Sequence, residues 1–152
     1  MEFLQAIEQL GAVRLLKSSF VAYPVVNALH IAAIGALLTS VLLMDLAVLG
    51  RIGSLPREKF VALLRRVAVT ALVIAVLTGL TLFSIQATNY VRNPAFLLKL
   101  GLIGLAIINF LAFTAIDRKS PGSASPVLRV SAVASILLWS GVLLCGRLIG
   151  FV

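Results

Sequence analysis

The residues best suited to chemistry lie inside the most apolar segments of this sequence. The only histidine, His30, falls in the run NALHIAAIGALLTSVLLMDLAVLG, residues 27–50. Asn27 precedes it by three residues, so a helix would place both side chains on one face. Imidazole titrates near neutral pH and is the most frequent metal ligand in proteins. His30, with Asn27 beside it, is therefore the first candidate for binding a metal or a cofactor.

The spacing of charges places these residues in a membrane. Hydrophobic side chains make up 61% of the 152 residues and charged ones 12%, which is too apolar for an ordinary soluble domain. No Asp, Glu, Lys or Arg occurs in four blocks, residues 18–44, 67–91, 100–116 and 130–146. Since ~20 apolar residues in a helix cross the hydrocarbon core, we predict four transmembrane helices at about 23–49, 67–84, 96–116 and 127–148.

Short connections between the spans predict how they are arranged. They make sequence neighbours antiparallel, so we expect an all-α integral membrane four-helix up-down bundle, with residues 1–152 as a single transmembrane domain. The N-terminal segment MEFLQAIEQLGAVRLLK has apolar residues at helical spacing and is predicted to be an amphipathic interfacial helix. The segment RKSPGSASP, residues 118–126, is the predicted linker before the last span.

The net charge of +8 indicates how the chain is oriented in the membrane. In a soluble protein it would suggest a nucleic-acid partner, but the basic residues lie between the spans, so we expect the lipid bilayer and no nucleic acid. The connections after the first and third spans hold eight of them: Arg51, Arg57, Lys59, Arg65, Arg66, Arg118, Lys119 and Arg129. The opposite side holds five, so the positive-inside rule predicts both termini outside.

Lys99, Asp45 and Asn109 are the other polar residues in or beside the spans that bear on function. Lys99 is expected to anchor the third span at the headgroups, or to bind an anionic headgroup or a quinone oxygen. Asn109 is expected to bond another helix. Asp45 is interpreted as structural, paired near the headgroups with Arg51, Arg65 or Arg66.

His30 has a structural interpretation and several functional ones. A hydrogen bond to Asn109 or Thr81 would satisfy it in the bundle. The functional alternatives are ligation of haem b or a metal, proton transfer near a quinone, or pH sensing. Met44 lies 14 residues further along, about 21 Å in a helix, so a second haem ligand would have to come from a partner subunit. Copper is less well supported, because Met, Cys and His do not cluster.

Polar and small residues predict which helix faces turn inward. In the first span the predicted inward stripe is Tyr23, Asn27, His30, Ile34, Leu37, Val41 and Met44. In the second span it is Thr70, Ile74, Leu77, Thr81 and Ser84. The third span offers two stripes, either Lys99, Leu102, Ala106, Asn109 and Phe113 or the small residues Gly101, Gly104 and Ala112. In the fourth span it is Ser131, Ser135, Val142 and Cys145.

No catalytic residues are predicted. The sequence has no Ser/His/Asp set with plausible geometry, no phosphate-binding glycine loop and no paired carboxylates inside a span. Two functions remain. The first is a non-catalytic membrane subunit or scaffold that packs against itself, as a homo-oligomer, or against a larger membrane complex. The second is a haem- or metal-associated electron-transfer protein that uses His30 and a ligand from a partner subunit.

Four segments carry a family resemblance: SSFVAYPVVNALHIAAIG, LLMDLAVLG, LTGLTLF and NYVRNPAFLLKLGLIGLAIINFLAF. Over about residues 18–115 the chain resembles a largely uncharacterised family of small bacterial four-helix membrane proteins, distantly akin to copper-resistance D (CopD-like) proteins. The resemblance implies a four-helix fold in the bacterial inner membrane. Members often carry Glu, Arg and His where this chain has Asn27, Ala47 and Thr114, so it lacks their second histidine.

Overall fold

Helices account for nearly all of the structure, a computed structural model that describes residues 2–52, 56–119 and 125–151. Within these ranges there is no strand, and the helices are α1 (Glu2–Glu8), α2 (Gly11–Ser18), α3 (Ala22–Val48), α4 (Arg57–Ile85), α5 (Ala87–Arg92), α6 (Pro94–Lys119) and α7 (Pro126–Leu148). Helices α3, α4, α6 and α7 have apolar windows of mean hydropathy 2.2, 2.3, 2.2 and 2.0 and are long enough to cross a bilayer. The predicted all-α membrane bundle is confirmed.

The helix boundaries agree with the predicted spans except in α4. This helix begins at Arg57, ten residues before the predicted start at 67, because charged residues continue the helix beyond its apolar part. Prolines open α6 and α7, where the missing N–H is harmless. Gly50, with φ of 75°, follows the end of α3. Most of the predicted linker 118–126 lies outside the described residues.

The bundle consists of two helical hairpins. Helix α3 packs along α4, α6 packs along α7, and the hairpins meet where α3 contacts α7. In the described ranges α4 and α6 have no close backbone contact. One core cluster centres on Leu37, Ala106 and Trp139, and a second on Met44 and Leu128. The side between α4 and α6 is therefore the open side of the bundle.

Side chains join α4 and α6 at their two ends. At one end the Phe83 and Phe96 rings stack, with centroids 5.5 Å apart, and Tyr90 packs against both. At the other end Arg65 Nη2 and Asp117 Oδ2 form an ion pair of 3.0 Å. These two contacts close the ends of the cleft between α4 and α6. Mostly apolar side chains line its middle.

The N-terminal segment forms two short helices, where a single amphipathic helix was predicted. Helix α1 packs on α5 and α4, and α2 packs on α3 and α4. Glu8 Oε1 accepts a hydrogen bond of 2.8 Å from the Thr88 backbone N–H in the first turn of α5. We call this end, with α1, α2 and α5, the terminal end. The opposite end, where α3 ends and α4 begins, is the basic end.

Candidate functional site

His30 lies against α4 near the terminal end of the bundle. Its Nδ1 is 2.9 Å from Thr78 Oγ1. The Thr78 hydroxyl has one proton, which it donates to the Ile74 carbonyl at 2.7 Å, so it accepts from His30. Nδ1 therefore carries the imidazole proton, and Nε2 carries the lone pair. This is the neutral tautomer that a ligand to a metal, or an acceptor of a proton, requires.

Gly79 allows the imidazole to approach α4 closely. A Cβ atom at this position would lie 3.0 Å from His30 Cε1, which is tighter than ordinary van der Waals contact. No side chain other than hydrogen fits there without movement of the ring. Thr78 and Gly79 together fix the position of His30, one by a hydrogen bond and the other by its lack of a side chain.

Lys99 of α6 lies against Gly146 of α7, near the terminal end of the bundle. Its Nζ is 3.3 Å from the position that a Cβ on Gly146 would occupy. Its charge acts on the His30 imidazole, so the two predicted site residues lie at the same end of the bundle. We call His30, Thr78, Gly79 and Lys99 the His30–Lys99 cluster. Asn27 lies half-buried one turn from His30 on α3.

The two hydrogen-bond partners expected for His30 bond elsewhere. Thr81 Oγ1 donates to the Leu77 carbonyl of its own helix at 2.8 Å. Asn109 joins α6 to α7, because its Nδ2 donates to the Ser131 carbonyl at 3.0 Å and its Oδ1 accepts from the Ser131 hydroxyl at 2.9 Å. Thr78 takes the place of both in the contact with His30. Thr78 lies one helical turn before Thr81, the threonine that was expected, and it was not predicted from the sequence.

Asp45 lies in the interior, and the ion pair expected for it does not form. Its exposed fraction is 2%, and the described residues contain no salt bridge to it. Arg65, one of the expected partners, binds Asp117 of α6 instead. The Ser135 hydroxyl of α7 hydrogen-bonds the Asp45 carboxyl group. Within the described ranges Oδ2 is buried and has no hydrogen-bond partner. The expected pairing was wrong because the side chain turns toward α7.

A cavity of about 200 Å³ lies beside Asp45, in the cleft between α4 and α6. Its polar lining is Asp45, Asn109, Ser131 and Ser135. Its apolar lining is Leu37, Val41, Met44, Ala68, Val69, Leu72, Ile107, Phe110, Leu111, Phe113 and Trp139. The spacing of four between Ser131, Ser135 and Trp139 places them on one face of α7. Ser131 and Ser135 were predicted to face inward, whereas Trp139 and the cavity were not predicted from the sequence.

A shallower groove lies on the outside of the bundle between α3 and α4. Its volume is about 470 Å³. The α3 side is lined by Leu29, Ala32, Ala33 and Ala36, and the α4 side by Arg66, Val67, Thr70, Ala71 and Ile74. Small side chains at membrane depth are typical of helix contacts, whereas lipid-facing positions favour large apolar ones. The groove combines small side chains of this kind, such as Ala32 and Ala36, with larger ones, such as Leu29 and Arg66.

The His30–Lys99 cluster combines a hydrogen-bond acceptor with a donor. The Nε2 lone pair accepts and the Lys99 ammonium group donates, so together they suit a polar group that can do both, such as a hydroxyl. The ammonium charge opposes a metal cation at the same place. Within the described ranges no three His, Cys, Asp or Glu side chains lie close enough together to hold a metal ion.

The four helices that are long and apolar enough to cross a bilayer define a multi-pass α-helical membrane protein. The chain belongs to the Family of unknown function (DUF6644), whose model matches residues 15–152. No curated protein and no solved structure matches the chain. The uncharacterised family expected from the sequence is thus confirmed, and the kinship with copper-resistance D proteins stays a prediction.

Proposed function

We propose that this protein is a non-catalytic membrane-embedded subunit that packs through its α3–α4 groove against a second copy of itself or a helix of a larger membrane complex. The observation that carries the proposal is the groove itself, which has a volume of about 470 Å³ and whose lining includes the small side chains of Ala32, Ala33, Ala36 and Ala71. Bilayer lipid gives little driving force for helix association, so close backbone approach and van der Waals packing decide which surfaces pair.

The α3 side of the groove favours a second copy as the partner. Ala32 and Ala36 are exposed and lie one turn apart. Gly35 beside them is also exposed, and a Cβ there would meet nothing within 4 Å. Two copies of α3 can therefore cross at a short distance in a contact that uses the same surface twice, as two-fold symmetry requires.

Substitution in the groove tests the proposal. Ala36→Leu fills it with a larger side chain and is expected to weaken association in lipid vesicles by about tenfold or more, that is, by ~1.4 kcal/mol. The measurement is Förster energy transfer between labelled copies as a function of the protein-to-lipid ratio. Ala112→Leu, an equal change at an exposed position of α6, is the control and should have no effect. A chain that is monomeric at every ratio would rule out self-association.

The second candidate is a haem- or metal-associated electron-transfer protein that uses His30. It is favoured by one observation, the hydrogen bond that holds Nδ1 on Thr78 and leaves Nε2 as the ligand atom. Outer-sphere bonds of this kind orient histidine ligands. The second axial ligand of a six-coordinate haem b would come from a partner subunit, since His30 is the only histidine. Lys99 opposes the iron charge, so we rank this candidate second.

An absorption spectrum of protein purified from native membrane in mild detergent separates the two candidates. The electron-transfer candidate requires a Soret band that is lost in His30→Ala and altered in Thr78→Val, which keeps the ligand but frees the ring. A colourless, metal-free preparation removes it and leaves the subunit proposal. For location, we propose the bacterial inner membrane, with both termini on the outer side.

A further inference from the structure

The buried carboxyl group of Asp45 has no function in either proposal above. It lies at the polar end of the α4–α6 cavity, and the groove and the His30–Lys99 cluster share none of the cavity's lining residues. Leu37, at the apolar end, precedes Asp45 by eight residues of α3, about 12 Å along the helix axis. The cavity is thus polar at one end and apolar at the other. This distribution of polarity matches an amphipathic ligand.

We propose that this cavity binds a small lipophilic ammonium compound, with the ammonium group on Asp45 and the apolar part beside Trp139 and Leu37. A carboxyl group that is 2% exposed is costly to keep without a partner for each oxygen. Ser135 bonds the group once, and Oδ2 has no partner among the described residues. An ammonium group supplies the N–H donor and the charge together.

The remaining lining supports a cation. Phe110, Phe113 and Trp139 surround the cavity, and aromatic rings attract ammonium groups through their π faces. The described residues place no arginine or lysine in salt-bridge contact with Asp45, so no internal cation competes for its charge. A neutral alcohol could bond Oδ2, but only an ammonium group would also stabilise the charged form of the carboxyl group.

The opening of the cavity indicates that the ligand enters from the lipid. Val69 of α4 and Leu111 of α6 line it and have exposed fractions of 43% and 60%. Both lie in helices that are long and apolar enough to span the membrane. A cavity of ~150 Å³ binds benzene, so one of about 200 Å³ holds one aromatic ring with a short amine.

Trp139 makes the proposal directly measurable, because it is the only tryptophan and lines the cavity. The full chain in phosphatidylcholine nanodiscs at neutral pH is titrated with 4-nitrobenzylamine, a quencher that carries an ammonium group, and with neutral 4-nitrobenzyl alcohol. Tryptophan octyl ester in empty nanodiscs corrects for partitioning into lipid. We expect the amine to bind about tenfold more tightly than the alcohol, as a charge-assisted hydrogen bond allows.

Two variants and a control locate the binding. Asp45→Asn keeps the side-chain shape and should make the two affinities equal. Glu58→Gln, which removes an exposed carboxylate of α4, should keep the preference for the amine. Val69→Phe narrows the opening and should weaken both probes. Equal affinities in the natural protein, an amine preference that survives Asp45→Asn, or unchanged binding to Val69→Phe would each overturn the proposal.

Discussion

His30 is tolerated at membrane depth because its surroundings satisfy the neutral imidazole. Thr78 already donates its own proton to a backbone carbonyl, so it can serve His30 only as an acceptor, and this selects one tautomer. Gly79 supplies the space. A neutral imidazole held in this way is less costly at membrane depth than a charged side chain would be.

The fit of His30 against Gly79 predicts how two glycines will differ. In Gly79→Ala the new Cβ would lie 3.0 Å from His30 Cε1, whereas in Gly101→Ala it would meet nothing within 4 Å. Alanine is favoured over glycine in helices by up to ~1 kcal/mol, so Gly101→Ala should raise the free energy of unfolding. Gly79→Ala should lose that gain by straining the imidazole contact, and should come out ~1 kcal/mol less stable than Gly101→Ala.

Unfolding in mixed micelles of increasing denaturing detergent measures both glycine variants. The double variant His30→Ala/Gly79→Ala serves as the control, because removing the imidazole removes the clash. Compared with His30→Ala alone, the double variant should have an equal or higher free energy of unfolding. Equal stability of the two single variants would show that the imidazole moves freely and is not held by α4.

The helices that carry the polar residues could be predicted from the sequence, but the partners of these residues could not. Charge spacing placed His30 at membrane depth and Lys99 and Asp45 beside the headgroups, whereas Asp45 is buried in the interior. The rotation of α3 about its axis decides whether the Asp45 side chain faces an arginine or Ser135. A shift of one residue in the packing register would change that partner. Thr78 was missed because threonine is common in apolar helices and its bond to His30 depends on how α3 and α4 align.

At the scale of helices, the spans could be predicted, whereas the inward face of α4 could not. The stripe with Thr70, Ile74 and Leu77 was expected inside, but these residues are exposed, and Ala68, Ala71 and Ala75 are buried instead. Threonine hydroxyls in α4 bond carbonyls of their own helix, so they need no neighbouring helix. For α6, the stripe with Ala106 and Phe113 is the buried one.

The contact between α1 and α5 predicts a titration. The backbone N–H of Thr88 lowers the pKa of Glu8 below its ordinary value. A lowered pKa in the folded state means that the interaction is fully present above the ordinary Glu value, ~4.3, and is lost as the pH falls through the lowered one. The Thr88 amide proton shift in micelles, followed by NMR, should therefore titrate with a midpoint below ~4.3.

Glu8→Gln is the control for this titration, since it keeps the acceptor oxygen and removes the ionisable group. The Thr88 amide proton should then show no titration in the same range. A midpoint at or above the ordinary glutamate value would show that α1 does not dock on α5 through Glu8.

The ion pair between α4 and α6 predicts a coupling between two distant parts of the sequence. Arg65 and Asp117 have side chains 24% and 19% exposed, so solvent screens the pair and its contribution is about 1 kcal/mol or less. Asp117→Asn and Arg65→Gln should each lower the free energy of unfolding, and the double variant should lose less than the sum of the two. Additive losses in mixed-micelle unfolding would show that the ion pair does not join α4 to α6.

At the scale of the whole molecule, the arrangement of two hairpins determines where a ligand can enter. Close backbone packing links α4 to α3, α3 to α7 and α7 to α6, and the ring is completed between α4 and α6 by side chains alone. An up-down bundle could be predicted from the short connections, but a closed ring and an open one have the same sequence pattern. The open side follows from side-chain sizes along two helices that are not sequence neighbours.

The charge difference between the two ends of the bundle predicts its orientation. Eight basic residues lie in or beside the basic end and five lie toward the terminal end, so the basic end should face the cytoplasm. In a Cys145→Ala background, single cysteines at exposed Glu58 and Gln86 report the basic and terminal ends. Glu58 is suitable because acidic residues contribute little to orientation. A membrane-impermeant maleimide added to bacterial spheroplasts should label Gln86→Cys at once and Glu58→Cys only after permeabilisation; the reverse pattern would place both termini in the cytoplasm.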